Sequence, residues 1–166
     1  MVACILALGS NLGERAGTLE AAVAELGSTD GIELVAVSPT AVTQPVGGPS
    51  GQPDFLNLVL SIETSLEPLA LLAACQDIER AHHRTREVRW GPRTLDIDVI
   101  TYGEESSNDP VLSLPHPRAA QRGFVLLPWS WMDPDAVLAG EPVADLAAAA
   151  ADTPGIIRAE PKVAGQ

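Results

Sequence analysis

The chain has 166 residues, 46% of them apolar, with a formal net charge of −12. That length suits one domain with its own core, and the apolar share excludes wholesale disorder. A field of that sign repels nucleic acid and anionic lipid, so neither is an expected partner; a small anionic ligand at a local basic site remains compatible.

The opening segment, Met-Val-Ala-Cys-Ile-Leu-Ala-Leu, lacks a basic leader and is cut short by Gly9-Ser10-Asn11, so residues 2–9 read as a buried strand rather than a signal peptide. In the turn Gly9-Ser10-Asn11-Leu12-Gly13, Asn11 with Glu14 three residues on suits a helix cap better than a phosphate loop, since no lysine is near. Leu19, Ala22, Val23 and Leu26 recur at helical spacing, and Gly27 suits the helix end. Residues 32–43 read as a second strand with a flaw at Pro39 that predicts an edge or a bulge, and 45–53 as a loop. Over 54–64, Leu56, Leu58, Leu60 and Ile62 take one strand face, and Phe55, Asn57, Val59 and Ser61 the other.

A second helix is expected from Pro68 to about His82, striped by Leu71, Leu72, Cys75 and Ile78. After an arginine-rich loop at 83–93 come a strand at 94–102, a loop at 103–110, a proline-rich stretch, a short strand at 124–127 and an alanine-rich helix near 142–151. Residues 1–153 read as one domain and 154–166 as a loosely ordered tail. The order strand, helix, strand, strand, helix, strand predicts an α+β, ferredoxin-like split βαβ sheet with helices on one face. No apolar run is long enough to span a bilayer, and the two cysteines, Cys4 and Cys75, form no CxxC pair; a soluble protein of the reducing cytoplasm is expected.

The sharpest chemical feature is Thr94-Leu95-Asp96-Ile97-Asp98-Val99. Alternation sends Leu95, Ile97 and Val99 to the core and places Asp96 and Asp98 together on the opposite face. Two like charges on a strand repel, and a divalent cation relieves that repulsion; two carboxylates completed by water and phosphate are what magnesium prefers. Two solvated aspartates on an outer face are the plain alternative. Five of the ten lysines and arginines, Arg80, Arg84, Arg86, Arg89 and Arg93, fall just before this strand. A guanidinium fork suits phosphate oxygens, and metal carboxylates beside arginines are what phosphoryl transfer needs. His82 and His83, with no third nitrogen or sulfur ligand nearby, read as surface or supporting residues rather than a zinc site. Phe55 shares a face with Asn57, which suits a flat heterocycle, although two core rings at Phe55 and Phe124 are as good an account. Gln76 and Glu79 share a helix face, lining a pocket or meeting water.

Arg89-Trp90-Gly91-Pro92-Arg93-Thr94-Leu95-Asp96-Ile97-Asp98 resembles the signature of the 6-hydroxymethyl-7,8-dihydropterin pyrophosphokinase family of folate biosynthesis. So do Gly9-Ser10-Asn11-Leu12, Gln52-Pro53-Asp54-Phe55-Leu56-Asn57, Leu114-Pro115-His116-Pro117-Arg118 and Arg122-Gly123-Phe124, in the family's order. The resemblance implies transfer of the terminal pyrophosphoryl group of ATP to the pterin hydroxymethyl oxygen, with release of AMP. It implies two magnesium ions on Asp96 and Asp98, and Arg84 and Arg93 gripping the moving phosphates. ATP would be bound by Gln76, Glu79, Arg86, Trp90, Val99, Ser113, His116 and Arg122, and the pterin by Phe55, Phe124, Asn57, Thr43 and Val46. A monomer acting on two small molecules is expected. The sequence departs from the pattern at Phe55, where a tyrosine is commoner, at Val111, where some members have a basic residue, and in an arginine loop that is shorter and carries Glu87. The rival readings are a metal-dependent phosphohydrolase and a non-catalytic nucleotide-binding module of the same fold.

Overall fold

The computed structural model describes residues 1–10, 15–43, 54–84 and 95–159. In chain order these form β1 (Val2–Ser10), α1 (Arg15–Gly27), β2 (Ile32–Val37), β3 (Thr40–Thr43), β4 (Phe55–Thr64), α2 (Pro68–Arg84) and β5 (Asp96–Tyr102). The remaining elements are β6 (Ser107–Asn108), β7 (Ser113–Leu114), α3 (Gly123–Met132), β8 (Val137–Leu138), β9 (Glu141–Pro142), α4 (Val143–Ala149) and β10 (Ile157–Ala159).

The main sheet is antiparallel, with order β10-β3-β4-β1-β5 and β2 paired to β4 beside β3. Two strand–helix–strand units, β1-α1-β2 and β4-α2-β5, thus interleave with β1 at the centre, the split βαβ connectivity expected from the sequence. Pro39 divides the predicted strand 32–43 in two. Val37 pairs with Leu60 and Ala41 with Asn57, which leaves one residue too many on the proline side. Ser38 bridges the break: its buried hydroxyl accepts the Val59 N–H at 2.8 Å and donates to the Pro39 carbonyl at 2.8 Å.

The helices cover both faces rather than one. Leu6, Leu8, Leu58, Leu60, Ile97 and Val99 pack against Leu19 and Leu26 of α1 and Leu71, Cys75 and Ile78 of α2. On the opposite face, Ala7, Val59 and Ile100 pack beneath Val125, Leu126 and Trp129 of α3 and Val143 and Ala147 of α4. The predicted strand at 124–127 is therefore the first turn and a half of α3. Phe-Val-Leu-Leu is apolar on every side because it lies within this second core, and a short apolar run carries no period to separate strand from helix. Ile157–Ala159, placed in the tail by the sequence reading, pairs with Thr40–Val42 as a sheet edge. No helix among the described residues is long and apolar enough to cross a membrane, which says nothing of strands.

Candidate functional site

The second face changes character along its length. Phe55, Asn57 and Val59 alternate with core residues on β4, and Asp96, Asp98 and Ile100 do so on β5. Val59 and Ile100 are roofed by α3 and α4. Beyond that roof the polar members of each series border an open cavity of about 390 Å³, with Thr43, Arg122 and Phe124 on its other walls. The register explains the meeting: Gly9 lies opposite Asn57 on one side and Asp96 on the other, Ala7 lies opposite Asp98, and Phe55 lies opposite Thr43. Asp96 and Asp98 thus share one face, as strand periodicity predicts.

Gly9 makes the floor possible. A Cβ there would collide with Asn57 Oδ1 and stand 3.5 Å from Asn57 Cγ, so the carboxamide lies across β1 where any larger residue would displace it. Next to it, the Ser10 hydroxyl is buried without a hydrogen-bond partner among the described residues.

The opposite wall is the start of α3. Arg122 precedes the helix, and its guanidinium stands 3.8 Å from Asp98 Oδ2 and 5.5 Å from the centre of the Phe124 ring. Both charged groups are partly exposed, so the pair matters for where it puts a positive charge rather than for stability. The N–H groups at the helix start are satisfied in turn. Those of Val125 and Leu126 donate to the Arg122 carbonyl at 3.0 Å. Those of Gly123 and Phe124 donate to the two carboxylate oxygens of Asp152, at 2.8 and 3.2 Å.

A smaller cavity of about 250 Å³ opens on the outer side of β5, bordered by Leu72, Val99, Ser113 and His116, with Asp98 on its wall as well. The Ser113 hydroxyl donates to the Asp109 carbonyl at 3.0 Å. His116 Nδ1 accepts the Arg118 N–H at 3.2 Å, which leaves the ring proton on Nε2 in the neutral form. Burial pushes the His116 imidazole below its ordinary value; Asp98 pulls it up, and Arg122 and Arg118 lower it further. On α2, Gln76 is exposed, and Glu79 accepts the backbone N–H of Ile97 at 2.9 Å, pinning the peptide between the two aspartates.

The structure therefore brings Thr43, Phe55, Asn57, Asp96, Asp98, Arg122 and Phe124 to one cavity, and Asp98, Val99, Ser113 and His116 to the next. Neither lining includes Gln76 or Glu79. Val46, Arg86, Trp90, Arg93 and the side chain of Arg84 lie outside the described residues. His82 meets Glu25 at 3.1 Å, and Arg80 pairs with Asp77 on its own helix. Gly9 and Asp152 escaped the sequence reading. Gly9 stood in a quoted motif but looked like a turn residue, and nothing local marks Asp152.

A family model described as 7,8-dihydro-6-hydroxymethylpterin-pyrophosphokinase, HPPK, matches residues 5–134. The chain belongs to this family. An HPPK relative from Methylorubrum extorquens, named 2-amino-4-hydroxy-6-hydroxymethyldihydropteridine pyrophosphokinase, is 44% identical over 160 residues, covering 96% of this chain and 100% of the relative. A protein of the same name from Bacillus subtilis is 46% identical over 123 residues, 74% of this chain and 73% of its own. Among solved structures, a Plasmodium falciparum HPPK-DHPS crystallised with pteroate superposes with a TM-score of 0.66 at 14% identity, over 89% of this chain. The chain spans 42% of that protein's length, and at that identity the likeness speaks to the fold alone. Within the HPPK frame the two aspartates are a chemically sensible seat for magnesium. They are hard oxygen donors on one face of a cavity, and no third His, Cys, Asp or Glu gathers with them among the described residues, so water and phosphate would complete the shell.

Proposed function

We infer that this chain transfers the pyrophosphoryl group of ATP to the hydroxymethyl oxygen of 6-hydroxymethyl-7,8-dihydropterin, releasing AMP, as a step of folate biosynthesis. The observation that carries the site assignment is the position of Asp98, on the wall of both cavities and beside Arg122. A carboxylate there faces two substrates at their point of meeting.

In this reading the larger cavity takes the pterin. Phe55 and Phe124 stack on the ring, Asn57 reads its edge, and backbone at Thr43 and Val46 adds hydrogen bonds. The smaller cavity takes the nucleotide, with Val99 and Ser113 lining it and neutral His116 donating from Nε2; Gln76, Glu79, Arg86 and Trp90 complete the ATP site. Arg84, Arg93 and Arg122 counter the phosphate charge. Asp96 and Asp98 would hold two magnesium ions, which supply charge neutralisation for the polyphosphate and help the alcohol lose its proton. The hydroxymethyl oxygen forms its bond to the β-phosphorus as the bond from that phosphorus to the oxygen bridging to the α-phosphate breaks; the pair of electrons leaves with AMP. Positioning and electrostatics do most of this work, and a strong protein base is not required. The buried free thiols Cys4 and Cys75 suit a reducing cytoplasm, and one monomeric domain, with Ile157–Ala159 as an edge strand of its sheet, suffices for both cavities.

Incubation with ATP, magnesium and the pterin, followed by identification of the nucleotide, tests the reaction: AMP is expected, and ADP or free phosphate overturns it. Asp96→Ala and Asp98→Ala are expected to abolish turnover while the protein melts as a folded domain. Near-normal turnover in either contradicts the metal assignment.

A further inference from the structure

The wall that carries Phe124 and Arg122 is held by a residue from beyond the matched stretch 5–134. Helix α3 begins without a capping side chain of its own, and no acidic residue lies in its first turn. Asp152 supplies both functions from the other end of the second core: one carboxylate oxygen takes the Gly123 N–H and the other takes the Phe124 N–H. Its own place is fixed by a short 3-10 turn, Thr153–Gly155, which it precedes. The Thr153 hydroxyl donates to the Ala147 carbonyl of α4 at 2.5 Å. Gly123 is part of the same device. A Cβ at that position would lie 2.8 Å from Asp152 Oδ1 and 2.5 Å from Thr153 Oγ1, so only a glycine admits the carboxylate.

A backbone N–H bond at Phe124 fixes the peptide from which its side chain springs. The cap therefore sets how far the ring reaches into the larger cavity. We propose that Asp152 is a positioning residue for the pterin pocket: by clamping the Gly123 and Phe124 amides it sets the Phe124 ring for stacking and couples the C-terminal segment to substrate affinity. This rests on the reading that Phe124 stacks on the pterin.

The test measures the affinity of the full chain for the pterin by fluorescence titration, and for a non-hydrolysable ATP analogue with magnesium, well below the melting temperature. Asp152→Ala is expected to weaken the pterin roughly tenfold, within the range of a lost capping contact, and the ATP analogue, which meets Arg122 on the same helix start, less than about threefold. Asp152→Asn keeps one acceptor oxygen and loses the other, so a loss of about threefold is expected; it decides the matter if the alanine variant does not fold. In a Phe124→Ala background, Asp152→Ala is expected to add less than about twofold, because the two act through one contact. Three results would overturn the proposal: pterin affinity unchanged while only the melting temperature falls, equal weakening of both ligands, or fully additive effects in the double variant. If Phe124→Ala itself leaves pterin affinity untouched, the stacking assignment fails first, and the proposal fails with it.

Discussion

Gly9→Ala separates the binding floor from the fold. Gly9 sits in extended backbone at the centre of the sheet, where alanine is conformationally allowed. Among the described residues the new methyl would meet the Asn57 carboxamide alone at close range; the nearest backbone atom, the Leu56 carbonyl oxygen, stays 3.8 Å away. The strands need not move, but the amide must swing aside. An off-rotamer side chain costs about 0.5–1.5 kcal/mol. Replacing a strand glycine returns about 0.5–1 kcal/mol through the unfolded chain. The net change in stability is then under about 1 kcal/mol, a shift of no more than roughly 2–4 °C at this size. Binding has no such compensation. A heterocycle edge left without its amide partner loses about 1–3 kcal/mol, or roughly 5- to 150-fold in affinity. The assay pairs a thermal melt with a pterin titration, using Asn57→Ala as reference. Gly9→Ala is expected to melt like the wild type and bind like Asn57→Ala. Wild-type affinity in the glycine variant, with Asn57→Ala impaired, would refute the reasoning.

Glu79→Ala removes the acceptor of the Ile97 N–H on the outer side of β5. A charge-assisted bond of this kind contributes about 1.5–3 kcal/mol, so urea unfolding is expected to shift by about that amount and magnesium-dependent ATP binding to weaken; an unchanged urea midpoint would contradict it. Burial, with the fields of Glu79 and Asp98, pushes the Cys75 thiol from 9.0 up to about 12, and burial pushes Cys4 up to about 11. A group raised in the folded state keeps its full stabilisation below the unfolded value and loses it as pH climbs toward the folded one. From pH 8.5 to 10 the unfolding free energy is therefore expected to fall by about 1 kcal/mol per thiol, and Cys75→Ala to flatten the slope. A profile identical in that variant would show that Cys75 is not responsible.

What could be read from the chain follows from where periodicity carries information. Asp96 and Asp98 were legible because a strand's period of two puts them together whatever surrounds them. Phe55 with Asn57 was legible for the same reason, as were the stripes of Leu19, Ala22 and Leu26 and of Leu71, Cys75 and Ile78. The first turn of α3 was not, because Phe124 to Leu127 are apolar all round, and Pro128 inside the helix hides the pattern further. The second layer was missed with it, since helices on one face were all that the first 102 residues required. Asp152 was beyond reach for another reason: its partners are 28 and 29 residues away, and a cap delivered through tertiary structure leaves no local spacing to find. Helix periodicity shows which face Glu79 occupies but not that the Ile97 amide lies within reach of it.

One alternation serves two purposes here. On β4 and β5 an apolar residue lies under the α3–α4 roof and polar ones lie beyond it: Val59 then Asn57, Ile100 then Asp98 and Asp96. Because the same strand carries both, the roofed half acts as the anchor for the open half, and the carboxylates on the cavity wall need no loop to place them. The weak point of such a design is β5, which ends the sheet among the described strands. An outer strand has no strand partner for its outward backbone groups, including those of the segment that carries the two aspartates. Glu79 holds the peptide between them, at the cost of adding a third negative charge whose field, with that of Asp98, reaches Cys75. An opposing charge comes from Arg122, 3.8 Å from Asp98, standing on the helix start that Asp152 clamps. Strand, helix start and C-terminal segment thus form one electrostatic unit around the open cavity.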